Sequence, residues 1–326
     1  MRIAVYDATR GETPFYERWE SEHPDWELSI FERAPRVEDF EDAAVDALSV
    51  SGGAVDAEII RAAKAAGCRY VCTRSIGFDN IDLDATRAAG MKAANIAYSP
   101  HSVAEYAVLL MLMVSRNSRQ MMRKFDAQDF RADNLEGQEL HGKTVGIVGA
   151  GSIGLTVARC LSGFGCEILA VDPYPREDIG DLLTYVELDE LLERSDIVSL
   201  HAALTEENRH VIGAESIARM KPGAIVINCA RGPLVDSQAL ADALVSGHLG
   251  GAGLDVLEGE EGLYFQDHSA APINHAALAQ LRSMPNVVLS PHLAYLTREV
   301  VEQTVERGLG NVLAFHEGRP VAGELC

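Results

Sequence analysis

Lysine is scarce in this chain: only Lys64, Lys92, Lys124, Lys143 and Lys221 occur, and the 28 basic residues face 49 carboxylates, for a formal net charge of −21. So negative a surface repels the phosphate backbone that supplies most non-specific nucleic-acid affinity, which excludes nucleic acid as a partner. The lack of lysine fits either a salt-rich environment or genomic base composition. A long apolar run is also missing. The most apolar stretch, Val103 to Val114, is interrupted by Glu105 and falls short of the roughly 20 residues that cross a bilayer, so no membrane partner is expected. The opening Met1–Asp7 reads as a short buried strand without the apolar core of a signal peptide, which points to the cytoplasm. Six cysteines (Cys68, Cys72, Cys160, Cys166, Cys229, Cys326) have neither metal-ligand spacing nor a close redox pair and read as small core residues. His101, His141, His201, His248 and His275 show no pairing one helical turn apart, so no metal is expected. No Gly-x-Ser-x-Gly elbow and no phosphate loop ending in Gly-Lys-Ser occurs, which removes the commonest hydrolase and nucleotide-hydrolysing readings.

What is present is an α/β pattern. At 326 residues the chain exceeds the roughly 100–200 residues of one domain, which predicts two domains with a cleft between them. Strand-like runs Ile3–Tyr6, Leu48–Ser51 and Tyr70–Thr73 alternate with helical stretches Ala57–Ala66 and Leu83–Ala89. The strands lack alternating polar positions, as in a parallel sheet covered on both faces. A long helical segment follows from Ser102 to about Phe130, apolar on all sides. It is either a connector buried in a domain or subunit interface or an internal core helix. A second series runs through Thr144–Val148, Glu167–Val171, Ile197–Leu200, Ile225–Asn228, Gly253–Val256 and Val287–Ser290, in the order of a doubly wound nucleotide-binding sheet. The last helix, Glu299 to about His316, lies beyond that series and returns to the first domain. The expected division is therefore 1–100 plus 297–326, and 101–296.

The strongest motif is Gly149-Ala150-Gly151-Ser152-Ile153-Gly154, placed between the strand Thr144–Val148 and the helical run Leu155–Leu161. Gly149 permits the tight turn, Gly151 close approach of the pyrophosphate, and Gly154 packing of helix on strand. The helix N-terminus then offers N–H groups to phosphates. Asp172 ends the next strand about twenty residues on, where a carboxylate accepts from the ribose hydroxyls and repels a 2′-phosphate. NAD is preferred over NADP on this ground.

Reduction of a 2-oxo acid needs a cation for the carboxylate and an acid for the carbonyl oxygen. Arg231, in Asn228-Cys229-Ala230-Arg231-Gly232, stands at the carboxyl end of a strand with a guanidinium suited to bidentate grip. His292, in Ser290-Pro291-His292, suits proton transfer because its ordinary pKa lies near neutrality. A carboxylate beside it fixes its tautomer and favours its charged form. Glu260, which follows another strand end, is a candidate for that role, and Glu258 and Glu261 compete for it.

These motifs together resemble the D-2-hydroxyacid dehydrogenase family, along nearly the whole chain. The resemblance rests on Arg74-Ser75-Ile76-Gly77-Phe78-Asp79-Asn80-Ile81-Asp82, Ala97-Tyr98-Ser99-Pro100, the glycine turn, Cys229-Ala230-Arg231-Gly232-Pro233-Leu234-Val235-Asp236 and Pro291-His292. Within the family the chain looks most like the D-lactate dehydrogenases, including the vancomycin-resistance type. That branch shares Thr73–Gly77, Ala97–Pro100 and Asp255-Val256-Leu257-Glu258-Gly259-Glu260.

The resemblance implies a Rossmann-type NAD domain and a flavodoxin-like substrate domain. It makes Arg231, Glu260 and His292 the catalytic set, with His292 as general acid in reduction, and so selects Glu260. It places the Ile76 and Gly77 N–H groups on the substrate carboxylate and lines the pocket with Tyr98 and Tyr295. Ser152, Ile153, Asp172, Tyr174, Asn208, Cys229, Ala230, Arg231 and Asp255 then border the cofactor, and the assembly is a homodimer built on the nucleotide domain. Two departures bear on fine specificity: His201-Ala202-Ala203 stands where the family often has His-Val-Pro or His-Leu-Pro, and Leu293 replaces the threonine often found after the histidine. The expected reaction is reduction of pyruvate or a similar small 2-oxo acid. The alternatives are a reductase of bulkier acids such as phenylpyruvate or 2-oxoisocaproate, and a non-catalytic NAD-sensing regulator of the same fold.

Overall fold

Apolar runs that alternate with helices have little choice but to pair in parallel, because each crossover returns the chain to the same end of the sheet. The computed structural model describes all 326 residues and contains two such sheets, one in each of two compact units: Met1–Ser99 with Leu296–Cys326, and Pro100–Tyr295.

The first unit holds β1 (Arg2–Val5), β2 (Glu27–Ile30), β3 (Ala47–Val50), β4 (Tyr70–Thr73) and β5 (Lys92–Ala94), all parallel in the order β2-β1-β3-β4-β5. Every residue of β3 and β4 is buried, which requires helices on both faces. One of them is the C-terminal helix Arg298–His316. Its Val305, Leu309, Val312 and Phe315 join the core of this sheet, and Phe315 stacks on Tyr70 with ring centroids 5.6 Å apart.

The second unit holds β6 (Thr144–Val148), β7 (Glu167–Val171), β8 (Thr184–Tyr185), β9 (Ile197–Leu200), β10 (Ala224–Asn228), β11 (Leu249–Leu254) and β12 (Val287–Leu289), parallel in the order β12-β11-β10-β9-β6-β7-β8. The order reverses between β6 and β9. In doubly wound sheets the crevice at such a switch point, beyond the carboxyl ends of the strands, is where ligands bind.

The long helical segment expected over 102–130 is two helices, His101–Ser115 and Ser118–Asp126. Asn117, at φ 50, adopts the left-handed conformation that ends the first, which Asn tolerates better than most residues. The first helix is a core element. Ala104, Ala107, Leu110, Met111 and Val114 are buried, and the chain narrows where it packs: a Cβ on Gly251 would lie 2.5 Å from Val114 Cγ1, and one on Gly253 2.9 Å from Leu110 Cβ. The second helix has no buried residue. No helix is long and apolar enough to cross a membrane.

Candidate active site

The glycine turn joins β6 to the helix Ser152–Ser162. Gly149 has φ 93, and a Cβ there would lie 2.5 Å from Ala202 N, so the turn packs against the loop leaving β9. A Cβ on Gly154 would lie 2.1 Å from the Gly149 carbonyl oxygen, which makes glycine obligatory for the helix to start this close to the strand. Gly151 differs: nothing lies within 4 Å of where its Cβ would stand. Gly151 is also the N-cap and provides no capping side chain, so the first-turn N–H groups of Ser152 and Ile153 remain for an anion. Asp172 follows β7, its two carboxylate oxygens accepting from Ala150 N at 2.7 Å and Tyr174 N at 2.8 Å. It thereby ties the glycine turn to the adjoining loop and retains lone pairs for a further donor. Tyr174 is exposed. Asn208 braces its own loop, accepting from Thr205 N at 2.8 Å and donating to Ala203 O at 2.7 Å. An open glycine, an uncapped helix start and a flanking carboxylate fit a dinucleotide.

His201, just past the end of β9, opens the departure His201-Ala202-Ala203. Its Nε2 meets Ser199 Oγ at 2.8 Å, while Nδ1 is shut away from solvent with no hydrogen-bond partner. Burial pushes its pKa down to about 4, so the ring directly behind the glycine turn is neutral.

At the carboxyl ends of β11 and β12 the structure brings Glu260 and His292 together: Nδ1 lies 2.6 Å from Glu260 Oε1. Since a carboxylate only accepts, Nδ1 carries the proton of this bond and Nε2, which makes no hydrogen bond within the protein, is left for proton exchange. The other Glu260 oxygen accepts from Leu257 N at 2.6 Å, so the side chain is fixed at both ends. The competitors go elsewhere. Glu258 binds Arg209 at 2.7 Å and His210 at 2.9 Å, and Glu261 is exposed.

His292 has φ 57, a strained conformation for a side chain of its size, and Asp255 holds it there. The buried Asp255 carboxylate accepts from Ser290 Oγ at 2.6 Å, Leu293 N at 2.9 Å and Ala294 N at 2.7 Å, while its carbonyl accepts from His292 N at 2.7 Å. The residue expected along the cofactor thus also organises the whole Ser290–Ala294 turn. Next to it, burial pushes the Tyr264 hydroxyl up to about 12, with Glu260 and Asp255 adding to the effect.

Arg231 follows β10 on a turn shaped by Asn228, whose side chain accepts from Ala230 N at 3.0 Å and donates to Arg231 O at 2.9 Å. The guanidinium donates to Ala230 O at 2.8 Å. Gly232 is pressed on the chain leading to Glu260: a Cβ there would lie 2.2 Å from Leu257 C and 2.4 Å from Glu258 N. Burial, then the neighbouring Asp255, raises the Cys229 thiol well above its ordinary range, so it stays protonated and inert.

Ile76, Gly77 and Tyr98 belong to the first unit. Arg74, before them, is almost wholly buried and donates to Glu12 Oε1 at 3.2 Å, Ser49 O at 3.0 Å and Tyr6 O at 2.9 Å. Asn95 Nδ2 donates to Ile76 O at 2.6 Å, and Ile96 N to Ser75 O at 3.2 Å. The C=O and N–H of a trans peptide point opposite ways. Pinning these two carbonyls therefore aims the Gly77 and Ile76 N–H groups outward, and neither donates within the protein. Tyr295, half-buried, closes the second unit.

A doubly wound sheet with a dinucleotide turn at its switch point, and an imidazole–carboxylate pair at the ends of β11 and β12, three and four strands from β6, defines a nucleotide-linked oxidoreductase. Residues 108–294 match the family model of the D-isomer specific 2-hydroxyacid dehydrogenase NAD-binding domain. The chain is 46% identical over 261 residues, 80% of each protein, to a D-specific alpha-keto acid dehydrogenase of Enterococcus faecium. Its structure matches a D-lactate dehydrogenase of Treponema pallidum with a TM-score of 0.89 at 32% identity over all of both chains. It also matches a D-2-hydroxyisocaproate dehydrogenase with a TM-score of 0.91 at 32% identity, covering 100% of this chain and 99% of that one. The protein belongs to the D-2-hydroxyacid dehydrogenase family, and its NAD-binding domain identifies the cofactor as NAD, which is also present in the matched D-lactate dehydrogenase structure from Lactobacillus jensenii.

Proposed function

We propose that this dehydrogenase reduces pyruvate or a similarly small 2-oxo acid to the D-2-hydroxy acid, with His292 as proton donor. The observation that carries the reading is the 2.6 Å contact between His292 Nδ1 and Glu260. It fixes the tautomer, balances the imidazolium and leaves Nε2 as the proton-exchanging atom. The glycine turn and Asp172 would hold the dinucleotide, which in its reduced form, NADH, would supply the hydride for reduction and in its oxidised form, NAD+, would accept it in oxidation. In the second unit Arg231 grips the substrate carboxylate and Tyr295 lines the substrate's surroundings. His292 gives its proton to the carbonyl oxygen as the hydroxyl forms, and removes it in the reverse direction.

The likeness to an enzyme named for 2-hydroxyisocaproate favours a second reading, a preference for a bulkier side chain on the ketone. NADH oxidation at matched concentrations of pyruvate, 2-oxobutyrate, 2-oxoisocaproate, phenylpyruvate and hydroxypyruvate decides between them by kcat/KM. Pyruvate at background beside rapid phenylpyruvate turnover refutes the lactate reading and keeps the dehydrogenase. A cytoplasmic homodimer completes the proposal. It is supported by the helix Ser118–Asp126, which leaves Met121, Met122 and Phe125 in solvent, with Phe130 beyond it, more apolar side chain than a lone surface helix exposes without a partner.

A further inference from the structure

One turn supplies both of the groups that meet the His292 ring. Leu263 N and Tyr264 N both donate to the Glu260 carbonyl oxygen, at 2.9 and 3.0 Å, and Leu263 O is tied to His268 Nε2 at 3.0 Å. The chain therefore doubles back directly after Glu260 and brings Phe265 to the imidazole, with ring centroids 5.9 Å apart and planes tilted by 39°. Pro291 and Leu293, on either side of His292, share with Phe265 and Leu263 the lining of an apolar recess of about 580 Å³.

Phe265 occupies this place against its local preferences. Its φ is 64, a region hostile to a bulky side chain, and the residue is 65% exposed, so burial does not offset the strain. Such strain persists where surrounding structure enforces it, and it clusters at functional sites. His292 shares the left-handed conformation.

Hydrogen bonding to Glu260 fixes Nδ1 and the bond to the side-chain stem fixes Cγ, which leaves the ring a swing about the line through those two atoms. A second contact on the ring removes the swing and so sets where Nε2 points. We infer that Phe265 is a positioning residue for His292, the apolar counterpart of Glu260 on the same turn. The inference rests on the reading of His292 as the proton donor.

Three variants test it in steady-state reduction with NADH and the 2-oxo acid that turns over best. Phe265→Gly and Phe265→Asn delete the ring while suiting the backbone better. Their melting temperatures are expected to equal or exceed that of the parent enzyme, with kcat lowered about tenfold and KM for the 2-oxo acid held within about twofold. Phe265→Tyr is expected to restore kcat. Unchanged kcat in Phe265→Gly and Phe265→Asn overturns the inference. So does a loss confined to KM, which would assign the ring to the substrate, or a Phe265→Tyr enzyme that folds normally and stays slow. His292→Ala is measured alongside. If it reduces the 2-oxo acid at the parent rate, the proton-donor reading fails and this inference falls with it. If it is inactive while Phe265→Gly is unimpaired, only the role of Phe265 is refuted.

Discussion

Lowering the pH from 8 to 5 is expected to remove about 2 kcal/mol of stability from the second unit through one side chain, His201. Burial holds its pKa at about 4 in the folded protein, against 6.5 for an ordinary histidine. Below pH 6.5 the unfolded chain takes up a proton that the folded chain refuses. The contribution is therefore fully present above pH 6.5 and is lost as the pH falls from 6.5 towards 4. With these two values the loss is about 2 kcal/mol at pH 5 and grows to roughly 3 kcal/mol below pH 4. For a unit of about 200 residues, 2 kcal/mol corresponds to a fall in Tm of about 4–8 °C. The assay is urea unfolding of the parent protein and His201→Gln at pH 8 and pH 5. Both tryptophans, Trp19 and Trp26, lie in the first unit, so far-UV circular dichroism is the probe for the second. Glutamine retains a partner for Ser199 Oγ and does not titrate. Every other ionising group is common to both proteins and cancels in the difference. The parent should lose about 2 kcal/mol more than the variant between the two pH values. Equal losses, within about 0.5 kcal/mol, would refute the assignment of a buried neutral imidazole behind the glycine turn.

Two further outcomes follow from packing. Gly154→Ala drives a methyl group into the Gly149 carbonyl, 2.1 Å from where the Cβ would stand, and is expected to weaken NADH binding at least about tenfold in a fluorescence titration; unchanged affinity would mean that the turn tolerates displacement. Arg74→Met leaves the Glu12 carboxylate buried without its cation and is expected to cost about 3–5 kcal/mol in tryptophan-monitored unfolding. Adding Glu12→Gln should recover part of that loss, and no recovery would assign the effect to lost packing of the arginine stem.

What the chain discloses before folding depends on how local each feature is. β4, β6, β7 and β9 stand out because a run of four or five mostly apolar residues is enough to mark a strand covered on both faces. β2 passes unnoticed, since no residue of Glu27–Ile30 is fully buried and its partner lies on one side only. β5 and β8 have three and two residues, too few to establish a period. The break at Asn117 hides inside a helical pattern because one left-handed residue interrupts the helix without altering its composition.

The same contrast separates the parts of the candidate site. The glycine turn is legible because all its steric demands fall within six consecutive residues. The bond between Glu260 and His292 spans 32 positions, and three glutamates near residue 260 compete for it on equal chemical terms. In the sequence the family resemblance is needed to select Glu260; in the fold its contact with His292, and the engagement of Glu258 by Arg209 and His210, make the choice. Likewise Asp255 announces a strand end in the sequence, but its hold on Ser290, Leu293 and Ala294 exists only once β11 and β12 are paired.

That hold has a consequence for how this enzyme can diverge. Asp255 reaches the turn bearing His292 through the main-chain amides of Leu293 and Ala294, groups that every residue except proline carries. The side chain at 293 is therefore free to drift without dismantling the turn that carries His292, and leucine stands there in this chain. Natural selection can revise position 293 one substitution at a time while the Asp255 anchor and the turn it holds are inherited intact.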